Sequence, residues 1–324
     1  MSLIATERNI FPQGYRGRLT EGVTYDYRNN NLLWVDIIQG EVHRISMDDL
    51  NKHDVLKWDD SKESIGFIAL TENEDVVLVA AKSGLAYGDF KNGTLKYFFQ
   101  YPFTESEKTR LRSNDGIIDP WGNLWIGVMT DFPVSAKEGV QPEGKLFRIT
   151  PDLKVDVMLE NTKISNGMAF NNDGSEVYWT DSLNFTIFKF DYDHESNKLS
   201  NKTAFIETKH FYPDYESPEP DGLVSALNGH IYTAVFSTST ILHVNEKGEL
   251  LEKIQIPAKR CTCATIGGPD EDDLFVTTGH LKLDDFGAKI DADDVFGDLG
   301  GFLFRLKVGN KGQKKNIWGG KVDI

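Results

Sequence analysis

A polar turn, a β-rich strand, a short break and a second strand recur along the whole chain. "NNNLLWVDIIQGEVHRI" starts at Asn29, "NEDVVLVAAKSGLAYGDF" at Asn73, and "PWGNLWIGVM" at Pro120, resuming as "GKLFRI" at Gly144. "NDGSEVYWTDSLNFTIFKFDYD" starts at Asn172, "LNGHIYTAVFSTSTILHVN" at Leu227, and "DEDDLFVTTGH" at Asp270, with its partner "GGFLFRLKV" at Gly300. The units follow one another at roughly 45–55 residues, the length of a four-stranded propeller blade. Six are visible, so the sequence predicts an all-β fold, a six-bladed β-propeller occupying residues 1–324 as a single domain. A pair of β-sandwiches would give no common period over the chain. Residues 4–11 are expected to supply a strand that closes the ring against the last blade. Helix is confined to single turns near 47–52 and 106–111.

Composition narrows the function classes. A formal charge of −15 removes the basic face that a phosphate backbone requires, so no nucleic-acid partner is expected. The one Lys cluster, 311–315, reads as a solvated tail. No apolar run has the length of a membrane helix, and residues 1–20 lack the apolar core of a secretory signal; a cytoplasmic protein without membrane contact is expected. Cys261 and Cys263 are the only cysteines. Their spacing puts them on one face of a strand, a poor geometry for a disulfide, and both read as packed core residues. Trp34, Trp125 and Trp179 recur on strands of separate units and read as blade packing. His43 and His243 lie within strands and His230 follows a turn, with core or surface roles expected.

A propeller brings the start of each blade's innermost strand to a central channel. Four units carry an oxygen-bearing side chain followed by Gly at that place: Glu21-Gly22, Asn114-Asp115-Gly116, Asn166-Gly167 and Asp221-Gly222. Each alone is ordinary turn chemistry; four in register are harder to dismiss. The Gly permits a tight turn and close approach to a ligand. Glu21, Asn166 and Asp221 offer hard oxygen donors, and their convergence would suit one divalent ion with water completing the shell. No Cys or His joins them, which disfavours a structural zinc site. Three long segments, 131–144, 212–220 and 281–300, are placed to shape the channel mouth. The acidic run 284–298 lacks the spacing of an EF-hand loop and reads as a solvated lid.

These segments resemble the SMP-30/gluconolactonase/regucalcin family of six-bladed propellers. The resemblance is carried by "EGVTYDYRNNNLLWVDIIQGEVHRI" at 21–45, "RSNDGIIDPWGNLWIGVM" at 112–129, "ISNGMAFNNDGSEVYWTDSLNFTIFKFDYD" at 164–193, "PDGLVSALNGHIYTAVF" at 220–236 and "CTCATIGG" at 261–268. It implies that Glu21, Asn166 and Asp221 are metal ligands, that Asp221 is also the general acid/base, and that Arg112 and Asn114 contact substrate. The implied reaction is hydrolysis of a lactone or related ester with one divalent ion, calcium first, then zinc, manganese or magnesium. Where the family often has an acidic substrate contact, an ungapped count finds Phe132; Asp131 beside it is the candidate to take over. The competing expectation is a metal-binding propeller that serves as a scaffold without turnover. No G-x-S-x-G, H-E-x-x-H, P-loop or G-x-G-x-x-G is present, so other common catalytic sites find no support.

Overall fold

A computed structural model describes residues 3–58, 63–283 and 297–322. Six antiparallel sheets follow one another along the chain, five of four strands and the last of three, each a simple meander. The first strand of each sheet is its inner strand: Thr20–Asp26, Ile65–Leu70, Leu111–Ile118, Ser165–Phe170, Glu219–Ser225 and Arg260–Gly267. Each packs on the inner strand of the next blade, and the last meets the first, so the ring closes. The fold is the six-bladed β-propeller that the repeat predicts.

Burial explains why the blades take this orientation. Inner strands are covered on both faces by neighbouring blades and are almost wholly buried. Outer strands such as Lys198–Glu207 are exposed along most of their length and carry charge. The core lies between blades, and three of its largest members are Trp34, Trp125 and Trp179. The Trp125 indole N–H donates to Asp119 Oδ2 at 3.0 Å, and that of Trp179 to Ser165 Oγ at 2.8 Å, so two of the rings enter the core with their polar atom satisfied. His43 stacks on Trp34 at 5.0 Å between centroids, in the core role expected of it.

The N-terminal segment performs its expected task through short contacts. Ile10 bridges Phe304 in antiparallel sense, and the Phe11 N–H donates to Leu303 O at 2.9 Å. This fills the fourth-strand position of the last blade. The same segment holds the fifth blade, where the Ala5 N–H donates to Gln255 O at 2.8 Å.

Four expectations need correction. Residues 47–52 form turns without helix, while 106–111 does contain a helical turn, Glu107–Arg110. The segment 131–144 is not all loop: it holds the helix Phe132–Glu138, capped by Asp131 with Pro133 in its first turn, a legible start signal. Cys261 and Cys263 are free and buried, but they do not share a face. A bulge lies between them, and they pack in different hydrophobic clusters. Finally, 311–315 is not a free tail, although Lys311 and Lys314 are exposed. The Leu227 N–H donates to Lys311 O, and the Trp318 N–H donates to Leu70 O at 2.8 Å. Trp318 is fully buried among residues of the second and third blades. The C-terminal segment therefore crosses the end of the channel where the inner strands finish. Most of the acidic run, residues 284–296, lies outside the described residues. Among the described residues no helix is long and apolar enough to cross a membrane.

Candidate metal centre and active site

Near its start each inner strand loses register with its neighbour. The breaks fall between Glu21 and Thr24, Ile65 and Phe67, Ser165 and Met168, Pro220 and Leu223, and Cys261 and Ala264, and in the third blade opposite Ile126–Val128. A bulge re-aims a side chain and is frequent beside functional sites. The oxygen-Gly pairs sit inside these bulged strands and not in turns ahead of them, which corrects the local reading of the sequence. Gly22 has φ +58° and needs the left-handed region. Gly167 and Gly222 answer to packing instead. A Cβ on Gly167 would lie 2.6 Å from Asp221 O, and one on Gly222 would lie 2.5 Å from Cys263 Sγ. Glycine here lets adjacent blades approach so that their neighbouring oxygens converge.

Glu21, Asn166 and Asp221 are 7%, 6% and 7% exposed. Glu21 Oε2 accepts from the Gly22 N–H at 2.9 Å. The Asn166 amide donates to Ser182 Oγ at 3.1 Å, which leaves its oxygen free. Asn166 Oδ1 and Asp221 Oδ1 are both buried without a hydrogen-bond donor. Such atoms are costly and rare in a folded chain.

The charges are equally strained. Burial pushes the Glu21 carboxyl up to about 8, and Asp115 adds to the rise, against the Gly22 N–H and Arg112. Burial, then Glu21, Asp115 and Glu219, raise Asp221 well above the carboxylate range, with Asn166 opposing. Burial also lifts Asp115, and the Gly116 N–H and Lys315 pull it back. These mutual effects put Glu21, Asp115 and Asp221 in one desolvated pocket of negative charge. A bound cation would relieve all three. Among the described residues no three His, Cys, Asp or Glu side chains are grouped to hold a metal; the donor set here is two carboxylates and an amide oxygen. That chemistry, with two of its oxygens lacking donors, fits a hard divalent ion.

Arg112 and Asn114 flank this set as a unit. Arg112 donates to Ser113 O at 2.8 Å and to Asn114 Oδ1 at 2.9 Å, while its Nε has no partner. Its guanidinium lies 4.1 Å over the Phe132 ring. Asn114 donates in turn to Ser165 O at 3.1 Å in the next blade. Burial lowers the Arg112 pKa to about 10, against Asp131, Glu21 and Asp221, so Asp131 is electrostatically within reach. Its carboxylate is already engaged, by Lys82 Nζ at 2.6 Å and by the Phe132 N–H at 2.9 Å.

Three residues of this neighbourhood escaped sequence reasoning. Asp115 sat in plain view between Asn114 and Gly116, and its order in the motif was the available signal. Lys82 and Lys315 come from a neighbouring blade and from the tail, and nothing local marks them.

The pattern defining the SMP-30/Gluconolactonase/LRE-like region matches residues 19–280. The cell growth-regulated gene 1 protein of Candida albicans is 63% identical, covering 99% of this chain and all of its own. A pentonolactonase of Haloferax volcanii is 29% identical over 91% of this chain and 93% of its own. Among solved structures, a luciferin-regenerating enzyme superposes with a TM-score of 0.81 at 25% identity, covering 95% of this chain and 97% of its own. With that match spanning every blade's inner strand, the chain belongs to the SMP-30/gluconolactonase/LRE-like family, which includes gluconolactonases and other lactonases.

Proposed function

We propose that the protein is a divalent-metal-dependent hydrolase that opens a lactone. One observation carries the reading: the oxygens of Asn166 and Asp221 are buried without donors, and Asp221 feels the charge of the buried Glu21. The lactonases in its family lend support.

Glu21, Asn166 and Asp221 would hold the ion, which when bound supplies polarisation of the ester carbonyl. Asp221, ionised once the ion is held, would accept the proton of an attacking water. The water oxygen bonds to the carbonyl carbon, the ring C–O bond breaks, and the proton passes from Asp221 to the leaving alkoxide. The product is the open hydroxy acid. Arg112, held in plane by Asn114, orients substrate oxygens. Asp131 acts through the Lys82 pair and the helix cap that set Phe132 against Arg112. Hard oxygen donors favour calcium.

The test uses protein stripped of metal and reloaded with calcium, zinc, manganese or magnesium. Acid release from a panel of sugar and aliphatic lactones is followed with a pH indicator. Metal-dependent release, lost in Asp221→Ala with the fold intact, is the expected result. A protein that binds a metal and hydrolyses none of the panel would move the assignment to the non-catalytic scaffold.

A further inference from the structure

The channel continues below the metal centre into a cavity of about 70 Å³. Five blades contribute apolar inner-strand residues to its wall, among them Phe67, Ile118, Met168 and Leu223. Its ionisable groups include Asp115 and the Cys263 thiol from the inner strands and Lys314 and Lys315 from the C-terminal segment, with Thr24, Ser225, Gln313 and Asn316 adding polar atoms. That segment is firmly seated. The Gly312 N–H donates to Glu271 O at 3.0 Å, Asn316 Nδ2 to Ile118 O at 2.9 Å, and the Gly319 N–H to Gly122 O at 3.0 Å. A Cβ on Gly312 would lie 2.5 Å from Ile266 O, so the backbone is pressed onto the sixth blade. Trp318 then anchors the far end, its indole N–H donating to Tyr87 Oη at 3.3 Å.

Lys315 has an unusual position within this floor. Burial depresses its pKa, and its ionisable neighbours are Asp115 and the Cys263 thiol. No carboxylate pairs with it directly among the described residues, unlike Lys311, which lies 3.7 Å from Glu271. An ammonium placed in a channel without its own ion pair acts on whatever else the channel holds. Above it are Asp115 and then the carboxylates of Glu21 and Asp221, which already feel Asp115.

We infer that the C-terminal segment is the floor of the active-site channel, and that Lys315 is a positioning residue whose charge opposes the divalent ion held by Glu21, Asn166 and Asp221. This rests on the metal reading given above. A dication feels the ammonium with twice the force that a displaced proton does. Removing the charge therefore favours the metal even where a carboxylate gives up a proton to bind it. Binding is reciprocal: the ion, once bound, weakens the seating of the segment by the same factor.

The experiment compares the full-length protein with Lys315→Met and Lys315→Arg. Calcium affinity is measured by titration calorimetry, and alkylation of Cys263 by a small maleimide is followed by mass spectrometry with and without saturating calcium. We expect calcium to bind Lys315→Met several-fold more tightly than wild type, and Lys315→Arg to match wild type. Calcium should speed Cys263 alkylation in wild type and Lys315→Arg, and leave Lys315→Met unchanged. A purely structural lysine would instead lower the melting temperature of Lys315→Met and leave the affinity alone. Equal affinities in wild type and Lys315→Met overturn the inference while the metal site stands. A wild type that binds no divalent ion overturns the metal reading and the Lys315 coupling together. Fast Cys263 alkylation in calcium-free wild type would overturn the floor by itself.

Discussion

The raised carboxyls of the channel make stability depend on pH in a direction opposite to that of most surface acids. Glu21 moves from an ordinary value of 4.5 to about 8 on folding. Below 4.5 the group is protonated in both states and contributes nothing. Between 4.5 and 8 the unfolded chain ionises while the folded one keeps its proton, so stability falls as pH rises. Above 8 the whole cost is present. At 1.36 kcal/mol per pH unit, that span amounts to about 5 kcal/mol. Glu21, Asp115 and Asp221 share one pocket, so a single such step is taken for the set. An unfolding entropy of about 2.1 cal/mol/K per residue gives about 0.7 kcal/mol/K for this chain, hence a fall of about 7 °C in melting temperature. The assay is differential scanning calorimetry of metal-stripped protein from pH 5 to 8.5, repeated with saturating calcium and with Glu21→Gln. Calcium should abolish most of the slope, because the ion stabilises the ionised form; Glu21→Gln should flatten it without metal. A melting temperature that is level over this range in stripped wild type, or that rises, would refute the reasoning.

Other outcomes follow from the same geometry. Asp221→Asn should keep the fold, as judged by circular dichroism, and lose at least about 100-fold in lactone turnover. Gly222→Ala pushes a methyl group against Cys263 Sγ and should cost about 1–3 kcal/mol in chemical denaturation. Trp318→Ala empties a fully buried site between two blades and should cost about 3–5 kcal/mol; a loss under about 0.5 kcal/mol would mean the tail is not part of the folded unit.

Much of the architecture was legible because a propeller repeats its own grammar. Period and strand composition recur in all six blades and the polar-Gly pairs in four of them, so weak signals reinforce one another. The proposed donor set follows the same logic: Glu21, Asn166 and Asp221 occupy equivalent places in their blades. The bulges were not, because a register shift is a property of two strands and leaves no mark on one. Hence Cys261 and Cys263 were assigned a common face, and the Gly residues were given to turns. The tail was misread because its evidence is entirely long-range. Lys311 and Lys314 are exposed as expected, but the segment that carries them is fixed by Trp318, which locks between blades formed two hundred residues earlier. Lys82 was hidden likewise, since its pairing with Asp131 spans two blades.

The ring of bulges has a consequence for redesign. It gives the molecule six sockets at one depth, one per blade, each able to present a side chain to the axis. Three hold Glu21, Asn166 and Asp221, and a fourth holds the Asn114-Asp115 pair. The socket of the sixth blade carries Thr262 and Cys263, whose thiol already lines the cavity below; a larger donor at 263 would have to make room against Gly222, which packs on the Cys263 side chain. The second blade's socket is sealed, because any side chain at Gly66 would collide with the backbone of Ser113 and Asn114. Attempts to retune the ion or the substrate therefore have five positions to work with, and the sixth must stay empty for the ring to close.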